Sequence, residues 1–446
     1  MLDMLTTKRT CSQIQSAPVI NELRKITKRT SYFFFFFYFC FSNYIIMKIG
    51  VLKEEKVPAD KRVPLTPKHC RILLDTYPKL ELSVQSSDIR CFSDDMYLAQ
   101  GINIVDDLSD CDVLIGVKEV PLESLIANKT YFYFSHTIKE QPYNRALLLK
   151  MLQLNISMVD YEVLRNNKGE RLLGFGRYAG VVGAYNGFLT YGLKSGKYNL
   201  KAAHNCADRV EMEGEMSKIE LLHEKIIVTG NGRVGNGVME IMKKSNIRQV
   251  SKLDFLNKTF NEAVFVHLNF MDYNIKIDGS SFNQQEFFTN PELFKSSFMD
   301  YAIHANIFIA GHYYSSGSPY LFTREDTKSL DFNLLVVADI SCDINGPVAC
   351  TIKPSTIANP IYGYNKHSEQ EVDFRKEDSI AVMAVDNLPC ELPKDASEDF
   401  SNEIVNKILP LLLIGDNDQI IFNATICKDG DLTPNFEYLR NYVNAY

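Results

Sequence analysis

Lys225-Ile226-Ile227-Val228-Thr229-Gly230-Asn231-Gly232-Arg233-Val234-Gly235 is the stretch whose reading decides the fold. An apolar, β-branched run leads straight into G-x-G-x-x-G, and a helical stretch follows from Gly232 to Lys244. Strand, glycine turn and helix in that order are what a dinucleotide-binding fingerprint requires. Gly230 allows the tight turn, Gly232 lets the backbone approach a pyrophosphate, and Gly235 lets the helix pack close to the strand. Arg233 and Val234 complete the loop. The phosphates then lie at a helix N-terminus, where free N–H groups and the helix dipole favour negative charge. Roughly twenty residues further on, the usual spacing for the fingerprint's acid, Asp254 closes the run Val250-Ser251-Lys252-Leu253-Asp254. Read as the end of the next strand, its carboxylate would hold the adenosine ribose and repel a 2′-phosphate, which favours NAD over NADP.

Outward from this run, strands and helices alternate from Met47 onward. KIGVLK, DVLIGVKEV, TYFYFSH, AVFVHLNF, NIFIAG and LLVVADIS are apolar runs of strand length. SMVDYEVL and ERLLGF are strand-like and separated by the turn signal Asn166-Asn167-Lys168-Gly169. Helices are expected in PKHCRILLDTYP, opened by proline, in NRALLLKMLQL, in AGVVGAYNGFLTYGLKSG and in SEDFSNEIVNKILPLLL. Strands interleaved with helices imply an α/β fold with a mostly parallel sheet.

The chain has 446 residues, 46% hydrophobic and 23% charged, with a formal net charge of −7. That length suggests two domains or one large one. The acidic balance gives no reason to expect nucleic acid, which needs a basic surface. Ten cysteines form no C-x-x-C pair and read as buried thiols in a reducing compartment. Eight histidines show no metal-binding spacing, so no metal is expected. Residues 1–46 stand apart. Arg24, Lys25, Lys28 and Arg29 precede SYFFFFFYFCFSNYII. The apolar run is shorter than the roughly 20 residues of a membrane helix, and no small-residue cleavage site follows it. The expectation is a misassigned start, with Met47 opening a cytoplasmic chain and no membrane involved.

Two expected strands end in chemistry. Lys118 and Glu119 close one apolar run, and His136 closes another. In open α/β sheets ligands bind beyond the carboxyl ends of strands. A lysine there can work as acid or base, and a histidine suits proton transfer near neutrality. Singly, each is more often a surface or hydrogen-bonded core residue. Two at strand ends beside a nucleotide fingerprint favour catalysis. Arg62, in a loop after the first strand, and Arg171, after the Asn-Asn-Lys-Gly turn, are candidate carboxylate clamps, since arginine binds carboxylates bidentately.

At these residues the chain resembles the lysine-forming saccharopine dehydrogenases and the lysine–ketoglutarate reductase half of a bifunctional enzyme, both within the alanine dehydrogenase and transhydrogenase superfamily. The resemblance spans about 47 to 446 and rests on KRVPLTP (61–67), GVKEVP (116–121), FSHTIK (134–139), DYE (160–162), GFGRYAG (174–180), TGNGRVG (229–235), LFTRED (321–326), ADISCD (338–343) and VDNLPCELPKDASEDF (385–400). It implies two Rossmann-like domains with parallel sheets and an interdomain cleft. Residues 47–174, completed by 353–446, would be the substrate domain, and 175–352 the NAD-binding domain. It implies NAD-dependent cleavage of saccharopine to L-lysine and 2-oxoglutarate. Lys118 would take the amine proton, His136 would activate water, and Glu119 and Glu162 would tune them. Arg62, Arg171 and Lys139 would bind substrate, and Asp343 would lie near the nicotinamide ribose. The segment 255–330, LFTRED and ADISCDINGPVACT fit the reductase half better, and that half is expected to use NADPH and consume lysine. Asp254 argues for NAD. The competing readings are an alanine-type amino-acid dehydrogenase, a non-catalytic nucleotide-binding regulator, and a membrane-anchored form using the poly-Phe run. Oligomeric state is not legible in the sequence.

Overall fold

The structure, a computed structural model, describes residues 47–315 and 317–444. The 1–46 stretch and its expected start at Met47 lie outside what it describes, apart from Met47 itself. From Lys48 onward the chain forms one compact unit. Its frame is a pair of eight-stranded sheets.

The first sheet begins with β1 (Lys48–Val51), β2 (Glu81–Gln85), β3 (Asn103–Val105), β4 (Val113–Lys118), β5 (Thr130–Phe134) and β6 (Ser157–Asp160). Their spatial order, β3-β2-β1-β4-β5-β6, is parallel throughout. Strands covered on both faces read as continuous apolar runs, and β4 is buried from Val113 to Val117. ERLLGF forms no strand. It contributes only an isolated bridge, Arg165 to Arg171, because the outer edge of β6 is taken by a later strand, Thr425–Lys428.

The second sheet is built from β7 (Lys225–Thr229), β8 (Arg248–Gln249), β9 (Val264–Leu268), β12 (Ile307–Ala310), β13 (Val336–Asp339), β14 (Ile361–Asn365), β15 (Glu371–Val372) and β16 (Ser379–Met383). A small antiparallel pair, β10 (Asn274–Lys276) and β11 (Phe294–Ser296), stands beside it. The parallel order is β8-β9-β7-β12-β13-β16, with β14 and β15 antiparallel beyond. Two points differ from the sequence reading. The expected return to the first unit at 353 occurs later, because the buried strands at 361–365 and 379–383 extend the second sheet. The first sheet is rejoined only by β17 (Thr425–Lys428) and β18 (Asp431–Leu432), antiparallel on β6. The strand beside β7 is β9, and β8 is pushed to the edge.

The helix Gly176–Ser195 crosses the helix Arg233–Lys244 backbone to backbone. A Cβ on Gly180 would lie 2.0 Å from the Val234 carbonyl, and one on Gly237 2.0 Å from that of Arg177. This pair covers one face of the second sheet with Val181, Tyr185, Phe188, Val228 and Ile309. The other face buries Ile227, Phe255, Phe298, Phe308 and Val337.

The helix Pro393–Glu403 connects the two sheets' surroundings. Ser397 Oγ accepts from Val63 N–H at 2.9 Å, and Ser401 Oγ accepts from Thr66 N–H at 3.1 Å. Asp399 pairs with Arg177 and Glu403 with Arg233. Phe400 stacks on Phe175 at 4.3 Å. The helix continues through a π turn, Ile404–Ile408, just before Pro410, whose missing N–H cannot close an α-helical bond.

Candidate active site

The C-terminal ends of β4 and β5 are neighbours and bring Lys118 and His136 to one rim. Lys118 is the last residue of β4. Burial pulls its ammonium below the usual lysine range, and Arg62 and Lys56 push the same way, while Glu119 and Asp60 oppose them. Glu119 accepts from Lys56 Nζ at 2.7 Å, and its other oxygen lies 3.5 Å from His136 Nδ1 without hydrogen-bond geometry. Burial alone would raise this carboxyl, but His136 and Lys56 outweigh it and hold the group at about 2. His136 takes a left-handed conformation, φ 55, sparsely populated outside glycine. Asp160, at the end of β6, holds the turn before it. Its carboxylate accepts from Ser135 N–H at 3.2 Å, Ser135 Oγ at 2.5 Å and Glu162 N–H at 2.7 Å.

Two guanidinium groups border this rim in different states. Arg62 is buried and already engaged, with Nε donating to Asp60 Oδ1 at 3.0 Å and Nη2 to Oδ2 at 2.6 Å. Its plane lies 4.2 Å over the Phe175 ring. Only Nη1 lacks a hydrogen-bond partner among the described residues. Arg171 is looser: Nη1 is 3.9 Å from Glu162 Oε1, and its buried Nε has no partner. Lys139 Nζ is 3.6 Å from the same Glu162 oxygen, while Glu162 Oε2 is buried and unpaired. Buried polar atoms without partners are costly, and Glu119, Glu162 and Arg171 each carry one here. Asp343, in the turn after β13, faces this group from the second sheet. Burial raises its carboxyl, and Ser341 and then Lys139 pull it back.

The glycine loop lies at the C-terminal end of β7. Gly230 has φ +94, and a Cβ there would lie 2.2 Å from the Gly311 carbonyl. At Gly235 a Cβ would meet the Gly230 carbonyl at 2.0 Å, whereas at Gly232 it would meet nothing within 4 Å. The Arg233 side chain points elsewhere. It bonds both Glu403 oxygens, at 2.9 and 3.0 Å, and the carbonyls of Arg171 and Leu172. Arg233 thus offers a ligand its amide, not its guanidinium. Val234 packs beneath Gly176 and Gly180.

Asp254 lies away from the position expected of it. Val250-Ser251-Lys252-Leu253-Asp254 is no strand: Ser251 caps a short helix, Lys252–Asn257, by accepting from Asp254 N–H. The Asp254 carboxylate sits in that first turn, where it suits the helix dipole, and pairs with Lys258 at 2.7 Å. Because β8 is the edge strand, β9 supplies the chain end next to the glycine loop, and Gly230 N–H donates to Leu268 O at 3.1 Å. The carboxylate just beyond β9 is Asp272, paired with Lys252 at 2.5 Å. Two histidines flank the loop. His267 Nε2 lies 2.7 Å from Gly230 O, and His312 Nδ1 2.9 Å from Thr229 Oγ1. Burial pulls His312 to about 4, so it is neutral.

Sequence reasoning missed Asp60, Glu54, Asp160 and Asp272 as site residues. Asp60 and Asp160 stand within two residues of Arg62 and Glu162, yet their signal is only that proximity. A cavity of about 480 Å³ lies apart from all this, between Lys61, Arg90, His204, Glu391 and Lys394. Among the described residues no group of His, Cys, Asp and Glu is placed to hold a metal ion, and no helix is long and apolar enough to cross a membrane. The eight described cysteines are free.

Residues 50–182 match the family model of the alanine dehydrogenase/PNT N-terminal domain. The chain is 28% identical to "Alpha-aminoadipic semialdehyde synthase, mitochondrial" of Mus musculus, aligned over 88% of this chain and 47% of that protein. It thus spans about half the length of that relative. It is 24% identical to "Saccharopine dehydrogenase [NAD(+), L-lysine-forming]" of Yarrowia lipolytica, over 81% of this chain and 91% of the relative. Among solved structures, an L-alanine dehydrogenase superposes with TM-score 0.61 at 16% identity, over 89% of this chain and 100% of that one. At that identity the likeness bears on the fold alone.

Proposed function

We propose that this chain, whose residues 50–182 match the model of the alanine dehydrogenase/PNT N-terminal domain, is a nicotinamide-nucleotide-dependent oxidoreductase. Its substrate is saccharopine, the secondary amine joining L-lysine to 2-oxoglutarate, cleaved or formed reversibly. The observation that carries this reading is the strand-end group itself. Lys118, with a depressed proton affinity, stands beside the His136–Glu119 contact, between two guanidinium groups suited to carboxylates. A substrate with several carboxylates and one central nitrogen matches that pattern better than alanine does.

The glycine loop fits a dinucleotide. The space over Gly232 is open, while Gly230 and Gly235 are closed to any side chain. The bound dinucleotide supplies the hydride acceptor. In the oxidative direction neutral Lys118 takes the proton of the substrate's secondary amine as hydride leaves the adjacent carbon. His136 takes a proton from the water that adds to the resulting C=N carbon. The carbinolamine collapses to the ε-amine of lysine and the ketone of 2-oxoglutarate. Arg171, with its unpaired Nε, binds one carboxylate, and Arg62 binds another through Nη1. Glu119 keeps a negative charge beside both proton carriers, and Lys139, Glu162 and Asp343 close the polar ring. Asp254 is given no part in choosing NAD or NADP, because its carboxylate pairs with Lys258 in the first turn of the helix that follows the edge strand β8.

Lys118→Met removes the proton acceptor and keeps the side-chain length. Turnover should fall by about two to four orders of magnitude, the range of general acid–base contributions, with dinucleotide affinity unchanged by fluorescence titration. Turnover near wild type would remove Lys118 from the mechanism.

A further inference from the structure

We propose that Glu54 is the positioning residue that aims Lys118, its carboxylate standing in for the strand that no longer flanks the end of β4. The inference rests on the reading of Lys118 as the proton carrier. β1 ends at Val51, and its last backbone bond toward β4 runs from Leu52 N–H to Ile115 O at 2.9 Å. Beyond that point the chain leaves the sheet. On the other side β5 pairs Phe132 with Ile115 and Phe134 with Lys118, two steps against three, so β4 bulges between them. A bulge re-aims side chains and leaves ladder groups unpaired. The amides of Val117 and Lys118 therefore have no strand partner on the β1 side.

Glu54 supplies both. Its Oε1 accepts from Val117 N–H at 2.7 Å and its Oε2 from Lys118 N–H at 2.9 Å. The residue is only 6% exposed. One carboxylate on two successive amides fixes two peptide planes at once, and with them the direction in which Lys118 leaves the strand. Gly116 makes room for this. A Cβ there would come within 3.2 Å of Leu52 Cδ1 and 3.5 Å of Glu54 Oε1. Catalytic side chains need alignment to a fraction of an ångström and about 10–20°, which a lysine on an unbraced bulge lacks. Burial and Asp60 push the Glu54 carboxyl up to about 8, against the two amides and Arg62. Both oxygens accept fully only when it is ionised, so the test is run at about pH 9, above that value.

The test is competitive acylation of the full chain by acetic anhydride, with Lys118 followed by peptide mass spectrometry against the other lysines. Glu54→Asp keeps the charge but shortens the arm by one methylene, too short to span both amides. The expected result is that Lys118 swings into water and returns toward the ordinary lysine range. Followed from about pH 9 upward, the pH dependence of its labelling moves to higher pH than in the wild type, a change that greater access to the reagent does not mimic. With saccharopine, kcat falls about tenfold or more, while dinucleotide affinity stays within about twofold. A pH dependence of Lys118 labelling equal to wild type in a variant that melts normally overturns the proposal. If Glu54→Asp does not fold, Glu54→Gln keeps the shape but sets an NH2 against one amide N–H, and it is judged by the same labelling. A wild-type chain with no saccharopine activity would overturn the functional reading, yet the labelling would still decide the role of Glu54.

Discussion

Asp60→Asn is the perturbation that best exposes the electrostatics of the site. Arg62 and Asp60 have side chains only 3% and 2% exposed, joined at 2.6 Å. Three N–H groups of Arg62, counting its own amide, converge on that carboxylate. Asparagine keeps the shape and one acceptor oxygen, but it removes the anion and turns an NH2 toward the guanidinium. Arginine does not discharge by losing its proton, so the variant carries a buried uncompensated cation. Breaking a buried pair from one side costs on the order of 3–5 kcal/mol. At an unfolding entropy of about 2.1 cal/mol/K per residue, a unit of about 400 residues loses about 1 °C per kcal/mol, so Tm should fall by roughly 3–6 °C in scanning fluorimetry at a fixed rate. Because the free Nη1 is assigned to substrate, 2-oxoglutarate should restore part of the missing charge and raise the variant's Tm more than the wild type's. A fall of less than about 2 °C would refute the claim that the pair is dry and charged in the folded protein.

Glu119→Gln removes an anion that raises Lys118's proton affinity, so the Lys118 limb of the kcat/KM profile should move to lower pH, by up to about one unit; no movement in a pH–rate series would separate the two groups. The Glu119 carboxyl is held at about 2 in the folded chain, below its unfolded value. Its contribution to stability is therefore present above the unfolded pKa and lost as pH falls through about 2. Acid melts of the variant should lack that slope. Asp254→Ala should leave the ratio of NAD to NADP affinity unchanged, whereas Asp272→Asn frees Lys252 and should raise affinity for the phosphorylated dinucleotide about threefold or more by titration; the reverse pattern would restore Asp254 to the nucleotide site.

The local elements were legible because each carries its own signal. KIIVTGNGRVG folds as strand, turn and helix since glycine alone fits at Gly230 and Gly235. The places of Lys118 and His136 at neighbouring strand ends were legible because buried parallel strands read as apolar runs. What failed was order in space. The sequence holds no mark that β8, two residues long, would yield the place beside β7 to β9, and Asp254 was assigned by spacing to a strand that is a capped helix. The segment after 353 was placed with the first unit, and its strands at 361–365 and 379–383 join the second sheet, because strand pairing is non-local. Glu54 and Asp60 were passed over because charged residues in a loop are usually solvated. Only the fold shows that Glu54 turns back onto the amides of Val117 and Lys118.

The central claim is tested most directly by following absorbance of the nicotinamide ring with the full chain and saccharopine, offered NAD, NADP or neither, with alanine as the control substrate. The account predicts reduction with saccharopine and none with alanine, and the dinucleotide that works settles the cofactor. Clean dinucleotide binding with no reduction by saccharopine, in either direction of the reaction, would contradict it.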